Sequence, residues 1–241
     1  MMRFDECAHR YAEHAMVQRQ MADWLAEWLD PAICANGNAV EFGAGEGMFT
    51  RRALPCFSHL RAVDMAPRMV ELGREHVPQA TWMQGDAWNG TGLDSSVSMV
   101  LSSSLMQWNP DPVNVLRLWH DQLPKGARML HGIYVDPTLP ELRNLQGDGS
   151  MPLTWLTPNQ WTAAFKDAGW TLERFESETR CIIYPSALGL LRSLHGVGAV
   201  SRDAMSGVNL RKLIREYDRL HAVESGGVYA NWTFCRIQAM A

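Results

Sequence analysis

The chain has no apolar run long enough to span a bilayer, and its opening stretch, MMRFDECAHRYAEHA, has no apolar signal core. Neither a membrane span nor a secretory leader is expected. Cysteine is sparse: Cys7, Cys34, Cys56, Cys181 and Cys235 are odd in number, widely spaced and never form a CxxC. That pattern argues against a disulfide framework and a metal site, and fits a reducing, cytoplasmic setting. Charge of one sign is also lacking. A net charge of -4 over 241 residues gives no global field that would favour nucleic acid or membrane. There is no low-complexity segment, no internal repeat and no GxSxG nucleophile elbow. What stands out is tryptophan, present ten times. Such rings serve as core and lid filler or as walls of an apolar pocket.

The first two thirds alternate strand and helix signals. Tyr11, Ala15, Val17, Met21, Leu25 and Trp28 give a helical apolar pattern over about 8–29, ended by Asp30-Pro31. Strands are predicted at 38–42, 60–64, 80–84, 97–102, 127–135, 170–176 and 228–237. Helices start at Pro67, at Pro112 and after Thr157. This order predicts one α/β domain over 1–241, with a doubly wound, mostly parallel seven-stranded sheet. Residues 1–30 form a candidate helical lid. Residues 184–227 break the rhythm and read as a helical insertion before the last strand. From Arg180 to His221 seven bases face three acids, a local excess of four positive charges in an acidic chain.

The strongest motif is Glu41-Phe42-Gly43-Ala44-Gly45-Glu46-Gly47, directly after the first strand. Glycines there allow a sharp turn and close approach of backbone to a ligand. The crevice beyond strand C-termini is where such sheets bind ligands. The spacing is GxGxG, not the dinucleotide GxGxxG, and acids flank it on both sides. That suits a cationic ligand with an amino group better than a diphosphate. Asp64 ends the second strand, where an acid can accept both ribose hydroxyls. Asp86, in Gly85-Asp86-Ala87, follows the third strand and can accept from an adenine amino group, with Ala87 leaving room for the ring. Met65 and Met83 could line that pocket, though plain core is the favoured reading for each. Each acid alone also fits an ordinary turn; three at successive strand ends are harder to explain that way.

These residues resemble the class I S-adenosylmethionine-dependent methyltransferases. The resemblance implies S-adenosyl-L-methionine as cofactor, with Glu41, Gly43, Ala44, Gly45, Gly47, Asp64, Met65, Asp86, Ala87 and Ser102 around it. It narrows further. HRYAEHAMVQRQMADWL (9–25), SSSLMQWNPDP (102–112), TLPELRNL (138–145), LRSLHGVGA (191–199) and GVYANWTFCRIQAMA (227–241) are similar to the malonyl-[acyl-carrier protein] O-methyltransferases of biotin synthesis (BioC). The family commonly has Ser-Asn where Ser102-Ser103 stand, and Lys where His195 stands.

The implied reaction esterifies the free carboxylate of malonyl-acyl carrier protein. A carboxylate is ionised at neutral pH, so no general base is needed. Alignment and partial desolvation are the main requirements. Tyr11, Gln107, Trp108 and Arg192 are the candidate positioning residues, with Arg192 expected to grip the carboxylate. The basic residues Arg202, Arg211, Lys212, Arg215 and Arg219 are expected to dock the acidic carrier or simply to form a solvated face. Methylation of another small carboxylic acid or thioester, and a non-catalytic cofactor-binding module, remain the alternative readings. A nucleic-acid methyltransferase would want an NPPY-type motif where SSSLMQW stands.

Overall fold

The structure is a computed structural model; it describes residues 11–30, 37–146, 153–199 and 207–241. Seven strands form one sheet: β1 (Asn38–Phe42), β2 (His59–Asp64), β3 (Thr81–Gln84), β4 (Val97–Ser103), β5 (Arg128–Tyr134), β6 (Thr171–Tyr184) and β7 (Val228–Met240). Their order is β3-β2-β1-β4-β5-β7-β6. The first five pair in parallel, and β7 runs antiparallel between β5 and β6. The chain reverses its strand order at β1 and β4, and that topological switch point opens a crevice at the strand C-termini.

β1 is apolar on both faces because helices cover both. Val40 and Phe42 join one buried cluster while Ala39 joins another. At the centre of the first cluster Trp119 stacks on Phe42 with ring centroids 4.7 Å apart, and its Nε1 donates to the Ala87 carbonyl at 2.8 Å. This bond ties the third strand's exit loop to the core.

The opening helix is two pieces, α1 (Tyr11–His14) and α2 (Met16–Ala26), broken at Ala15. Residues 8–10 of the expected helix lie outside the described residues. Val17, Met21 and Leu25 recur every four residues and face the sheet. Gly132 of β5 admits them: a Cβ there would sit 2.6 Å from Met21 Sδ. Next come α3 (Thr50–Ala53), α4 (Pro67–His76), α5 (Pro112–Gln122), α6 (Pro140–Gln146) and α7 (Pro158–Asp167). Pro begins α4, α5, α6 and α7, where a missing N–H costs nothing. Thr157 and Gln160 form a reciprocal capping box on α7.

β6 is twice its expected length, reaching Tyr184 rather than residue 176. Its second half, SETRCIIY, pairs with β7 up to Tyr184 opposite Val228. As an edge strand with much of its length exposed, it lacks the apolar alternation that would have marked it. The insertion then follows as α8 (Ala187–Gly196) and α9 (Gly207–Leu220).

Candidate active site

Three adjoining cavities open at the C-terminal edge of β1, β2, β3 and β4. The largest, about 660 Å³ to its mouth, is bordered by Gly43, Gly45, Asp64, Met65, Asp86 and Ala87. The second, about 330 Å³, lies over the glycine turn and takes in Glu41, Ala44 and Glu46. The third, about 420 Å³, is an apolar chamber beneath α8, with Gln107, Trp108, Tyr134, Leu194 and Trp232 in its walls. Tyr11 and Ser104 border all three.

The glycine turn has the form its sequence demands. Gly43 and Gly45 take φ of 66° and 56°, the left-handed region that favours glycine. Asp64 locks the turn to β2. One carboxylate oxygen accepts from the Gly45 N–H at 2.8 Å and the other from the Ala66 N–H at 2.9 Å. Asp86 is fixed in the same way, accepting from the Trp88 N–H at 2.9 Å as the cap of the 3-10 turn Ala87–Asn89. Both acids are thus held in place before any ligand arrives.

Glu41 differs. It is 1% exposed, and its Oε2 has no hydrogen-bond partner among the described residues. Burial pushes its carboxyl up to about 8; the neighbouring Thr50 hydroxyl eases this and Asp64 adds to it. A buried acceptor without a donor is costly, so this position wants an incoming N–H or positive charge. Burial also raises the Glu46 carboxyl, partly countered by His76, Arg51 and Arg19. Tyr11 stays protonated because burial, then Asp64 and Glu46, oppose a phenolate. An acid-lined floor, two anchored acids and apolar walls of Met69 and Trp88 suit a nucleoside with a cationic tail.

Most of the expected residues meet here; three do not. Gly47, with φ of 93°, packs against Val77 and Trp82 and borders none of the cavities, so its role is in the turn's packing. Ser102 is fully buried, sharing a strand face with Val100, while Ser103 and Ser104 one step on reach the crevice. Arg192 is exposed. Ala187, Leu190, Leu194 and Gly196 are the buried residues of α8, and Arg192, two positions from each leucine, lies off the leucine face. The expected carboxylate grip by Arg192 therefore has no support in its position. Met65 is 57% exposed at the cavity mouth. Met83 takes the core alternative, packing against the main cluster.

Sequence reasoning missed Ser104, Tyr134 and Gln18. Ser104 carries a signal only in hindsight, as the last of three serines at a strand tip. Tyr134 and Gln18 look like ordinary core and helix residues until the fold brings β5 and α2 together.

Residues 39–126 match the family described as methyltransferase domain. The malonyl-[acyl-carrier protein] O-methyltransferase of Brevibacillus brevis is 28% identical, over 93% of this chain and 89% of that protein. The biotin biosynthesis bifunctional protein BioCD of Bordetella avium is 30% identical over 95% of this chain, which spans 51% of its length. The YcgJ protein of Bacillus subtilis has the same fold, with a TM-score of 0.67 and 14% identity over 92% of this chain and 97% of that one.

Proposed function

From the premise that this chain is a methyltransferase, we propose that it uses S-adenosylmethionine to esterify the free carboxylate of malonyl-acyl carrier protein in biotin synthesis. One observation carries the reading: the cavities holding Glu41, Asp64 and Asp86 meet a separate apolar chamber at Tyr11 and Ser104. A methyl donor on one side and an acyl acceptor on the other would meet there.

The residues present fit the cofactor. The unpartnered Glu41 Oε2 would accept from its ammonium group. Asp64 would hold the ribose and Asp86 the adenine amino group, with Ala87 and Trp88 against the ring. When bound, S-adenosylmethionine supplies an electrophilic methyl: the C–S bond breaks with its electron pair leaving on sulfur as the carboxylate oxygen forms the new C–O bond. The acceptor is already an anion, so this chain need hold no base. The walls of Trp108, Leu194, Val197 and Trp232 keep water from the carboxylate. That dry setting strengthens a weak nucleophile.

The chamber favours a carrier-bound acid over a free one. Gln107 is 2% exposed and its Oε1 lacks a donor among the described residues. An amide N–H on the carrier's thioester arm would satisfy it, and a bare dicarboxylate would not. The outer side of α9 adds a docking surface. Arg211, Lys212, Arg215 and Arg219 are exposed, while Asp218 turns inward to accept from the Ala187 N–H at 2.7 Å. Glu216 pairs with Arg219 at 2.8 Å. Arg202 lies outside the described residues. A basic helix face complements an acidic carrier.

The test is incubation with S-adenosylmethionine and malonyl-acyl carrier protein, read by intact mass. Gain of one methylene unit on the carrier, with none on free malonate, is expected. Methylation of free malonate alone would favour a small-acid methyltransferase. No transfer to either, with the cofactor bound, would favour a non-catalytic module.

A further inference from the structure

We propose that the Ser104–Tyr134 hydroxyl pair binds one oxygen of the acceptor carboxylate and so turns the other toward the methyl donor. This rests on the reading of the site as a carboxyl methyltransferase. It replaces the cationic grip expected of Arg192 with a neutral one.

The pair stands where the cavities join. Ser104 borders all three, and Tyr134 lies in the chamber wall beside it. Ser104 Oγ and Tyr134 Oη are 3.1 Å apart and hydrogen-bonded. Two hydroxyls share one bond, so one O–H proton is left over whichever way that bond runs. Neither hydroxyl has another hydrogen bond among the described residues. Tyr134 is 4% exposed, so bulk water is a poor partner for that spare donor. A carboxylate oxygen in the chamber would take it.

Both residues are held in place for this. Tyr134 ends β5, and its ring packs edge-on against Trp232 and Phe234, with centroids 5.2 and 5.4 Å away. Ser104 has φ of 61°, strained for a side chain with a Cβ. The Ser104 N–H donates to the Gly132 carbonyl at 2.8 Å, which fixes this conformation at the end of the sheet. Backbone strain of this kind persists where the surroundings hold it. Burial keeps the Tyr134 phenol protonated at all ordinary pH, so it remains a donor.

A neutral donor has a chemical advantage. An Arg would orient the carboxylate but draw charge from the attacking oxygen. One hydroxyl on the non-attacking oxygen orients with less loss of nucleophilicity. In the transfer, the free oxygen forms the C–O bond, the C–S bond breaks with its pair going to sulfur, and no proton moves. The hydroxyl pair stays protonated throughout.

The experiment compares wild type, Tyr134→Phe and Ser104→Ala. Steady-state kinetics use malonyl-acyl carrier protein. Calorimetry measures cofactor affinity and the affinities of malonyl carrier and its methyl ester. Loss of a hydrogen bond to a charged group predicts that Tyr134→Phe lowers kcat/KM by roughly 10- to 100-fold. Loss of the orienting bond predicts a fall of about 2- to 10-fold for Ser104→Ala. Cofactor affinity should stay within about twofold for Tyr134→Phe, since Tyr134 lines only the chamber. The decisive reading is the ratio of acid to methyl-ester affinity, which should drop in both variants. A merely structural role would weaken acid and ester together, and that result overturns the proposal, as does unchanged kcat/KM. If Tyr134→Phe fails to fold, Ser104→Ala, which leaves the Tyr134 packing intact, decides it by the same ratio. A wild type without transferase activity would instead sink the underlying functional reading.

Discussion

Glu41 makes the sharpest prediction, because its protonation must change when the cofactor binds. Burial without a partner holds the ligand-free carboxyl at about 8. At pH 7 such a group is only about one-tenth ionised. An ammonium and a sulfonium beside it would return it toward the ordinary carboxylate value of about 4.3. Binding at pH 7 should then release about 0.9 proton. Affinity should also depend on pH: if binding needs the ionised acid, Kd tightens about ninefold from pH 6 to 7 and levels off above about pH 8. The assay is calorimetry of S-adenosylmethionine binding in buffers of different ionisation enthalpy. Glu46 is also raised, so the comparison with Glu41→Gln isolates the effect. That variant should bind more weakly and lose most of the proton release and the slope. The same carboxyl affects the ligand-free fold. Its raised value disfavours the charged form, so the contribution of Glu41 to stability is greatest in acid and is lost as pH climbs from about 4.5 to about 8. Equal heats in all buffers, with flat affinity from pH 6 to 7, would refute the reasoning.

Three further outcomes are expected. His131 is fully buried, stacked on Trp119 and, among the described residues, without a partner on either ring nitrogen; burial alone lowers it to about 3. Native His131 resists a proton that the unfolded chain accepts, so its contribution to stability holds above about pH 6.5 and falls by about 1.4 kcal/mol per unit below it; in urea denaturation the stability of wild type relative to His131→Met should fall by that slope between pH 6 and 4.5. Gly43→Ala would place a Cβ 2.8 Å from Leu105 Cδ1 at a positive φ, so thermal melts should show a loss of about 1–3 kcal/mol and cofactor titration a weaker Kd. Arg211→Glu with Lys212→Glu should raise KM for malonyl carrier several-fold, more so at low salt, and leave cofactor affinity unchanged in the same titrations; an unaltered KM would remove α9 as the docking face.

The part of the site proposed for the cofactor was legible because its determinants are local. A glycine turn after a buried strand, and acids at the next two strand ends, keep their meaning whatever the distant chain does. Asp64 and Asp86 fell where the strand tips put them, and Glu41 emerged as the buried acceptor. The chamber proposed for the acceptor was less legible because it is assembled from distant segments. Tyr11 on α1, Ser104 after β4, Tyr134 on β5 and Leu194 on α8 meet only through the fold. Arg192 was chosen for its charge, but the four-residue spacing of Leu190 and Leu194 already assigned it to the outer face. Ser102 failed for a similar reason: strand alternation turns it into the core while Ser103 reaches the crevice. The length of β6 could not be read because an exposed edge strand pairs through backbone, and backbone pairing leaves little trace in composition.

A crystal structure with S-adenosylmethionine bound tests the central claim most directly. The account predicts ribose at Asp64, adenine at Asp86, the ammonium on Glu41 and the methyl facing Ser104 and the apolar chamber. A cofactor bound elsewhere, or with its methyl turned away from that chamber, would contradict it.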